Sequence, residues 1–213
     1  MIATEVTEGQ HEGYTVFGSP KSARNFAVVL KGKNNVIELT GHPTIYHLKV
    51  EFIGDNNVLR IGANSRIKGV MTIGEGSRLT FGASVSITRV GHFVAREGAH
   101  ITVGDRCLIS NFTVMSSDAH SIFDRSTGER LNRARDVVIG DTVWLAANVA
   151  IYKGARIGSG SVIGAHSIVR GTIPANVVAA GSPAQVLSEN IFWDRRQLPD
   201  GAHLLPGLGK RAP

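Results

Sequence analysis

The feature that most constrains this chain is a six-residue period. From Ile139 the sequence cuts into IGDTVW, LAANVA, IYKGAR, IGSGSV, IGAHSI and VRGTIP, each block opening on an aliphatic: Ile139, Leu145, Ile151, Ile157, Ile163 and Val169. The frame extends back through Ile61, Ile67, Ile73, Leu79 and Val85, fails at Gly91 and Glu97, and resumes at Val103, Ile109 and Met115. Outside residues 116–138 it meets an aliphatic at 14 of 16 positions from 61 to 169. Ile, Leu, Val and Met supply only 56 of the 213 residues, so chance does not explain the frame. A short fixed period is the mark of a solenoid, and a six-residue period that of a β-helix.

Six residues make one short strand and one corner. The first residue of each block points inward and stacks on its counterparts above and below. Three blocks close a triangular turn, which predicts a coil of about eighteen residues, with coils stacked ~4.8 Å apart. The fifth position is mostly small: Ser65, Ser77, Ala83, Cys107, Thr113, Ala155, Ser161 and Ser167. Cys107, the only cysteine, thus reads as a packed thiol, with no disulfide and no cysteine zinc site. The second position is often glycine (Gly62, Gly74, Gly104, Gly140, Gly158, Gly164), which predicts corners of positive φ there.

At 213 residues one domain is expected, with room for a sizeable core. The net charge of +6 favours anionic partners, but no basic run interleaves with aromatics, so nucleic-acid binding is not expected. The opening MIATEVTEGQHEG has neither the basic start nor the apolar stretch of a signal peptide. No apolar run approaches the ~20 residues of a membrane span, and the cytoplasm is the expected compartment. Residues 1–33 read as a lead-in with a strand at Tyr14–Phe17. The repeat occupies 34–187, beginning with the Asn-rich corners NNVIEL at 34–39 and NNVLRI at 56–61. It is interrupted by a loop at 116–138. Residues 188–213 leave the repeat: SENIFWDRRQL predicts a short helix over the open end of the last coil, followed by a loose tail with Pro199, Pro206 and Pro213.

The repeat, most regular over VVIGDTVWLAANVAIYKGARIGSGSVIGAHSIVRGTIPANVVAAGSPAQVL at 137–187, resembles the hexapeptide-repeat acyltransferases. That resemblance implies an all-β fold, a left-handed parallel β-helix. The interrupting SSDAHSIFDRSTGERLNRARDVV is too long for a corner and too polar for the core, and such loops are commonly functional. Within it Asp118-Ala119-His120-Ser121-Ile122 resembles the catalytic histidine motif of the sugar and polysaccharide O-acetyltransferases. Carried over, His120 is the general base that takes the acceptor's proton as its oxygen attacks a thioester, a task that suits imidazole. Asp118 or a backbone carbonyl orients the ring, and a backbone N–H stabilises the tetrahedral oxyanion.

The same resemblance implies acetyl-coenzyme A as donor and no metal. The donor lies between subunits of a homotrimer, its pantetheine arm against Ala147 and Ala165, one coil apart. Arg170 is the expected phosphate cation, but Gly171 follows it where a second basic residue is usual. Gln185, in Gly181-Ser182-Pro183-Ala184-Gln185, replaces the usual Lys or Arg. Lys153 and the Arg195–Arg196 pair are the other cations available. Trp144 takes an outward slot, at an interface, on the acceptor side, or merely at a surface corner. The expected activity is acetyl transfer to a sugar or glycan hydroxyl, and the Arg-rich stretch 125–135 suits an anionic acceptor. Acyl transfer to an amino sugar or an amino-acid hydroxyl stays open. So does a non-catalytic β-helix scaffold, although a scaffold has no use for the loop. A zinc carbonic anhydrase of this fold needs three converging histidines, and no two histidines here are eighteen residues apart.

Overall fold

The computed structural model describes residues 2–3 and 6–203, and no helix occurs among them. The chain folds as a left-handed parallel β-helix of three faces. The first face stacks Tyr14–Phe17, Asn35–Leu39, Val58–Ile61, Arg78–Phe81, His100–Val103, Val137–Ile139, Arg156–Ile157 and Thr172–Ile173 in parallel. The strand expected at Tyr14–Phe17 is therefore present. The other two faces share one sheet because three long strands, Ser22–Lys31, Thr44–Ile53 and Arg66–Gly74, bend around the corner between them. Asn25 (φ +53°), His47 (φ +48°) and Gly69 (φ +129°) make that bend. Further along, each long strand is replaced by two short ones: Ser86–Ile87, Leu108–Ile109, Trp144–Leu145 and Val162–Ile163 on the second face, and His92–Ala95, Phe112–Met115, Val149–Ile151 and Ile168–Val169 on the third.

Inside, aliphatic ladders run the length of the helix. Ile61, Phe81, Val103, Ile139, Ile157 and Ile173 stack in register, all buried. Phe81, Phe93 and Phe112 fill the middle, with ring centroids 5.0 and 4.4 Å apart. Cys107 is fully buried, donates to the Gly140 carbonyl at 3.1 Å, and has its thiol pushed up to about 11 by burial. It is the packed thiol expected.

Three expectations need correction. The first is coil length. Val138 pairs with Arg156, eighteen residues on, and Arg156 with Thr172, sixteen on. Earlier, Ile61 pairs with Phe81 at twenty, and Val36 with Val58 and Leu79 with Ile101 at twenty-two. In these early coils the inward residues Leu59 and Ile61 stack on Leu79 and Phe81, twenty residues on. The six-residue frame there lands on inward residues of different ladders. The two Asn-rich corners are one wide coil apart, and their buried Asn35 and Asn57 bond to each other at 2.8 Å.

The second correction concerns the corners. The glycines of the second position have ordinary φ; left-handed backbone falls instead at the fourth, at Asn64, Arg106, Thr142, Asn148, Gly154, Gly160 and His166, with φ from +54° to +80°. The second-position glycines answer to close approach. A Cβ on Gly104 would lie 2.7 Å from the Asp141 nitrogen, and one on Gly140 2.7 Å from that of Ser159.

The third correction is the C-terminal helix, which does not form. Val178–Gly181 turns through Ser182–Pro183 into the antiparallel strand Ala184–Ser188. The chain then runs down one corner of the solenoid as a strap rather than over its end. One backbone N–H and two side chains of this strap bond to carbonyls of other coils, which anchors it along the wall. The Ile191 N–H bonds to the Asn176 carbonyl (2.9 Å) and the Trp193 indole to that of Thr142 (2.8 Å). Arg195 donates to the carbonyls of Ser84, Arg106 and Cys107 at 3.2, 2.9 and 2.8 Å. Trp193 leans on Trp144, so the strap partly covers that outward aromatic. Pro206 and Pro213 of the expected loose tail lie outside the described residues.

Candidate active site

The loop leaves the solenoid after Phe112–Met115 and returns at Val137, at the corner between the third and first faces. Its base is closed by buried Ser116, whose carbonyl accepts the Arg135 N–H (2.9 Å) and whose hydroxyl accepts the Arg96 N–H (3.0 Å). Its outer part is a small hairpin. Leu131 donates to the Ile122 carbonyl and Asp124 to that of Glu129, each at 2.8 Å. Asp124 also caps the hairpin turn, accepting the Ser126 and Thr127 N–H groups at 2.8 and 2.9 Å. Ile122, Phe123 and Leu131 are exposed on this hairpin.

Two ionic staples pin the loop to the wall. Glu97 pairs with Arg130 at 2.7 Å and accepts the Ser117 hydroxyl. Lys153, on the corner below, pairs with Asp118 and donates to the Asn132 carbonyl at 3.1 Å. Between them the chain turns sharply at Ala119 (φ +64°), whose N–H bonds to the Ser117 hydroxyl at 3.1 Å. His120 follows, its side chain exposed and its carbonyl accepting from the Asn132 carboxamide at 2.6 Å.

Asp118 does not hold the His120 ring. Its carboxylate is taken by Lys153 and by the Asn132 carboxamide, the latter at 2.9 Å. Lys153 holds its pKa below the usual carboxylate range, against partial dehydration and with smaller help from Asn132 and Arg170. Glu97 is lowered likewise, chiefly by Arg130 and then by Ser117. A depressed carboxyl contributes stability that is present above its unfolded value, ~4, and lost as pH falls through the folded one. Acidification below pH ~4 is therefore expected to release both staples before the solenoid melts. Protection factors of the Ala119 and Ile122 amides, measured by NMR against intrinsic exchange at each pH, should fall in that window; factors that stay constant down to global unfolding would contradict the staples.

The residues expected to line the donor fall elsewhere. Ala147 is half-buried and Ala165 exposed, at the corner between the second and third faces. The 18-residue register makes them neighbours on adjacent coils, and the Ala147 carbonyl accepts the His166 N–H at 2.8 Å. The strand Val149–Ile151 separates this ledge from Lys153 and the loop, so one chain does not bring Ala147 and Ala165 to His120. Arg170 is on the loop's corner, its guanidinium 4.6 Å over the Tyr152 ring. Of the other cations, Lys153 is held by Asp118, Arg195 by three carbonyls and Arg196 by Asp194. Among the described residues Arg170 is the one of these four with no carboxylate or carbonyl partner. No three His, Cys, Asp or Glu side chains among the described residues lie where they could hold a metal ion.

Sequence reasoning missed Glu97, Asn132 and the role of Lys153. Glu97 carried a signal, since it breaks the aliphatic frame. Asn132 carried none.

Comparison with known proteins supplies the context. Residues 136–171 match the family model of the bacterial transferase hexapeptide (six repeats). The chain is 32% identical over 167 residues to the galactoside O-acetyltransferase of Escherichia coli K12, covering 75% of this chain and 78% of that one. It is 38% identical over 138 residues to the polysialic acid O-acetyltransferase of Escherichia coli O1:K1, but spans only 45% of that protein's length. The crystal structure of the polySia-specific acetyltransferase NeuO superposes with a TM-score of 0.82 at 35% identity, over 92% of this chain and 90% of that one.

Proposed function

The chain belongs to the hexapeptide-repeat O-acetyltransferases, and we propose that it moves an acetyl group from acetyl-coenzyme A to a hydroxyl of a sugar or glycan. The observation that carries this is the setting of His120: an exposed imidazole on a tight turn stapled to a rigid wall. A ring nitrogen of His120 takes the hydroxyl proton as the acceptor oxygen attacks the thioester carbonyl. The tetrahedral intermediate then collapses, the C–S bond breaks, and the leaving thiolate recovers the proton from the imidazolium. Asp118 serves the loop and not the ring, because Lys153 and Asn132 occupy its carboxylate.

The donor's pantetheine lies along Ala147 and Ala165 and its phosphates near Arg170. The ledge and His120 occupy different corners of one chain, so a site that uses both takes its halves from neighbouring subunits of a homotrimer. The acceptor is an acidic glycan: the net charge is +6, Arg125 and Arg133 of the loop are exposed, and two similar proteins, of Escherichia coli and Neisseria meningitidis, are named for polysialic acid. A cytoplasmic location fits a donor made there.

The test is thiol release from acetyl-coenzyme A by the purified protein with a sialic acid polymer and an uncharged galactoside as acceptors. Acceptor-dependent release matched by acetyl ester in the glycan is expected, larger for the acidic polymer. No release with any glycan would overturn the reading, and a monomer in sedimentation would sink the shared site.

A further inference from the structure

Asn132 is only 7% exposed, although it sits in an otherwise polar and exposed loop. Its carboxamide nitrogen donates to the His120 carbonyl at 2.6 Å and to the Asp118 carboxylate at 2.9 Å. Its carboxamide oxygen accepts the Ile122 N–H at 2.7 Å. One short side chain thus holds the residues two before and two after the histidine, and the histidine's own backbone. The orientation of the carboxamide follows from its partners, since a carbonyl needs a donor and an N–H an acceptor. The Asn132 carbonyl is in turn fixed by Lys153, which projects from the corner after Val149–Ile151.

We infer that Asn132 is the positioning residue for His120, carrying the rigidity of the wall, through Lys153, to the backbone of the catalytic turn. The inference rests on the general-base reading of His120. The demand on residue type is narrow. Asp at this position cannot donate and would set a second carboxylate against Asp118. Gln reaches one methylene too far. Ala leaves the His120 carbonyl and the Ile122 N–H without their partner. Of the groups the structure gives to position 120, the ring itself is exposed, so its aim depends on where its backbone is held. General-base catalysis is sensitive to that aim: a displacement of ~1 Å can lower a rate ~100-fold.

The test combines Asn132→Ala and Asn132→Asp with His120→Ala, alone and paired. Both Asn132 variants are expected to lose ~100-fold in kcat, with KM for acetyl-coenzyme A within about threefold of the parent. In the His120→Ala background Asn132→Ala should remove nothing more, because its effect passes through the ring. Asn132→Asp keeps the side-chain volume, so it separates donation from packing and serves where the Ala variant fails to fold. A parental kcat in both Asn132 variants beside an inactive His120→Ala overturns this inference alone. So does a further ~100-fold loss from Asn132→Ala in the His120→Ala background. Parental turnover in His120→Ala overturns the general-base reading, and this inference with it.

Discussion

Replacing His120 with Ala is expected to lower kcat by ~10²–10⁴-fold and to leave the melting temperature unchanged. The two halves of that result have separate causes. The imidazole is the exposed base of the proposed reaction, so its loss removes proton transfer from the transition state. Its side chain is exposed, and the bonds that shape the turn run through its carbonyl, which Ala retains. Donor binding should persist, because the proposed pantetheine ledge is built from Ala147 and Ala165 and not from the His120 ring. Steady-state rates with a glycan acceptor, donor titration and a thermal melt together check it. Turnover within a few-fold of the parent would assign the chemistry to another group.

Phe93→Ala should have the largest effect on stability, about 3–5 kcal/mol. Phe93 is fully buried on the third face, edge-on to Phe81 at 5.0 Å and tilted against Phe112 at 4.4 Å. Phe81 is paired on both sides, with Ile61 and Val103, and Phe112 with Val149, which limits collapse into the space left behind. The residual cavity therefore adds to the lost transfer energy. Urea denaturation measures it as a fall in midpoint at constant slope. A loss below about 1 kcal/mol would mean that the aromatic stack relaxes to fill the void, against the packing described.

What could be read beforehand follows from what each feature depends on. The inward ladders obey a period, so Ile139 through Val169 were legible as a stacked core, and Cys107 as a packed thiol. Wide early coils obey a different interval, visible only as the spacing of two Asn-Asn pairs. The left-handed turns at Thr142 and Arg106 were missed because neither residue type announces positive φ; neighbouring coils impose it. The strap was mistaken for a helix since its bonding partners lie up to 111 residues away in sequence. At the site, the loop that holds His120 was legible from its length and polarity, whereas Asp118 was offered, beside a backbone carbonyl, to orient the ring because Lys153 is 35 residues distant and local sequence does not reveal their pairing.

The strap at Ile191, Trp193 and Arg195 also changes what kind of object the solenoid is. A plain stack couples each coil only to its neighbours and can fray from either end. Here one segment touches the corner at Asn176, Thr142, Arg106 and Ser84, and so reaches coils that never meet each other. Unpeeling the last coil must first strip those bonds, which belong equally to the middle of the molecule. The C-terminal half is thereby laced like a boot: it opens along its whole length or stays shut.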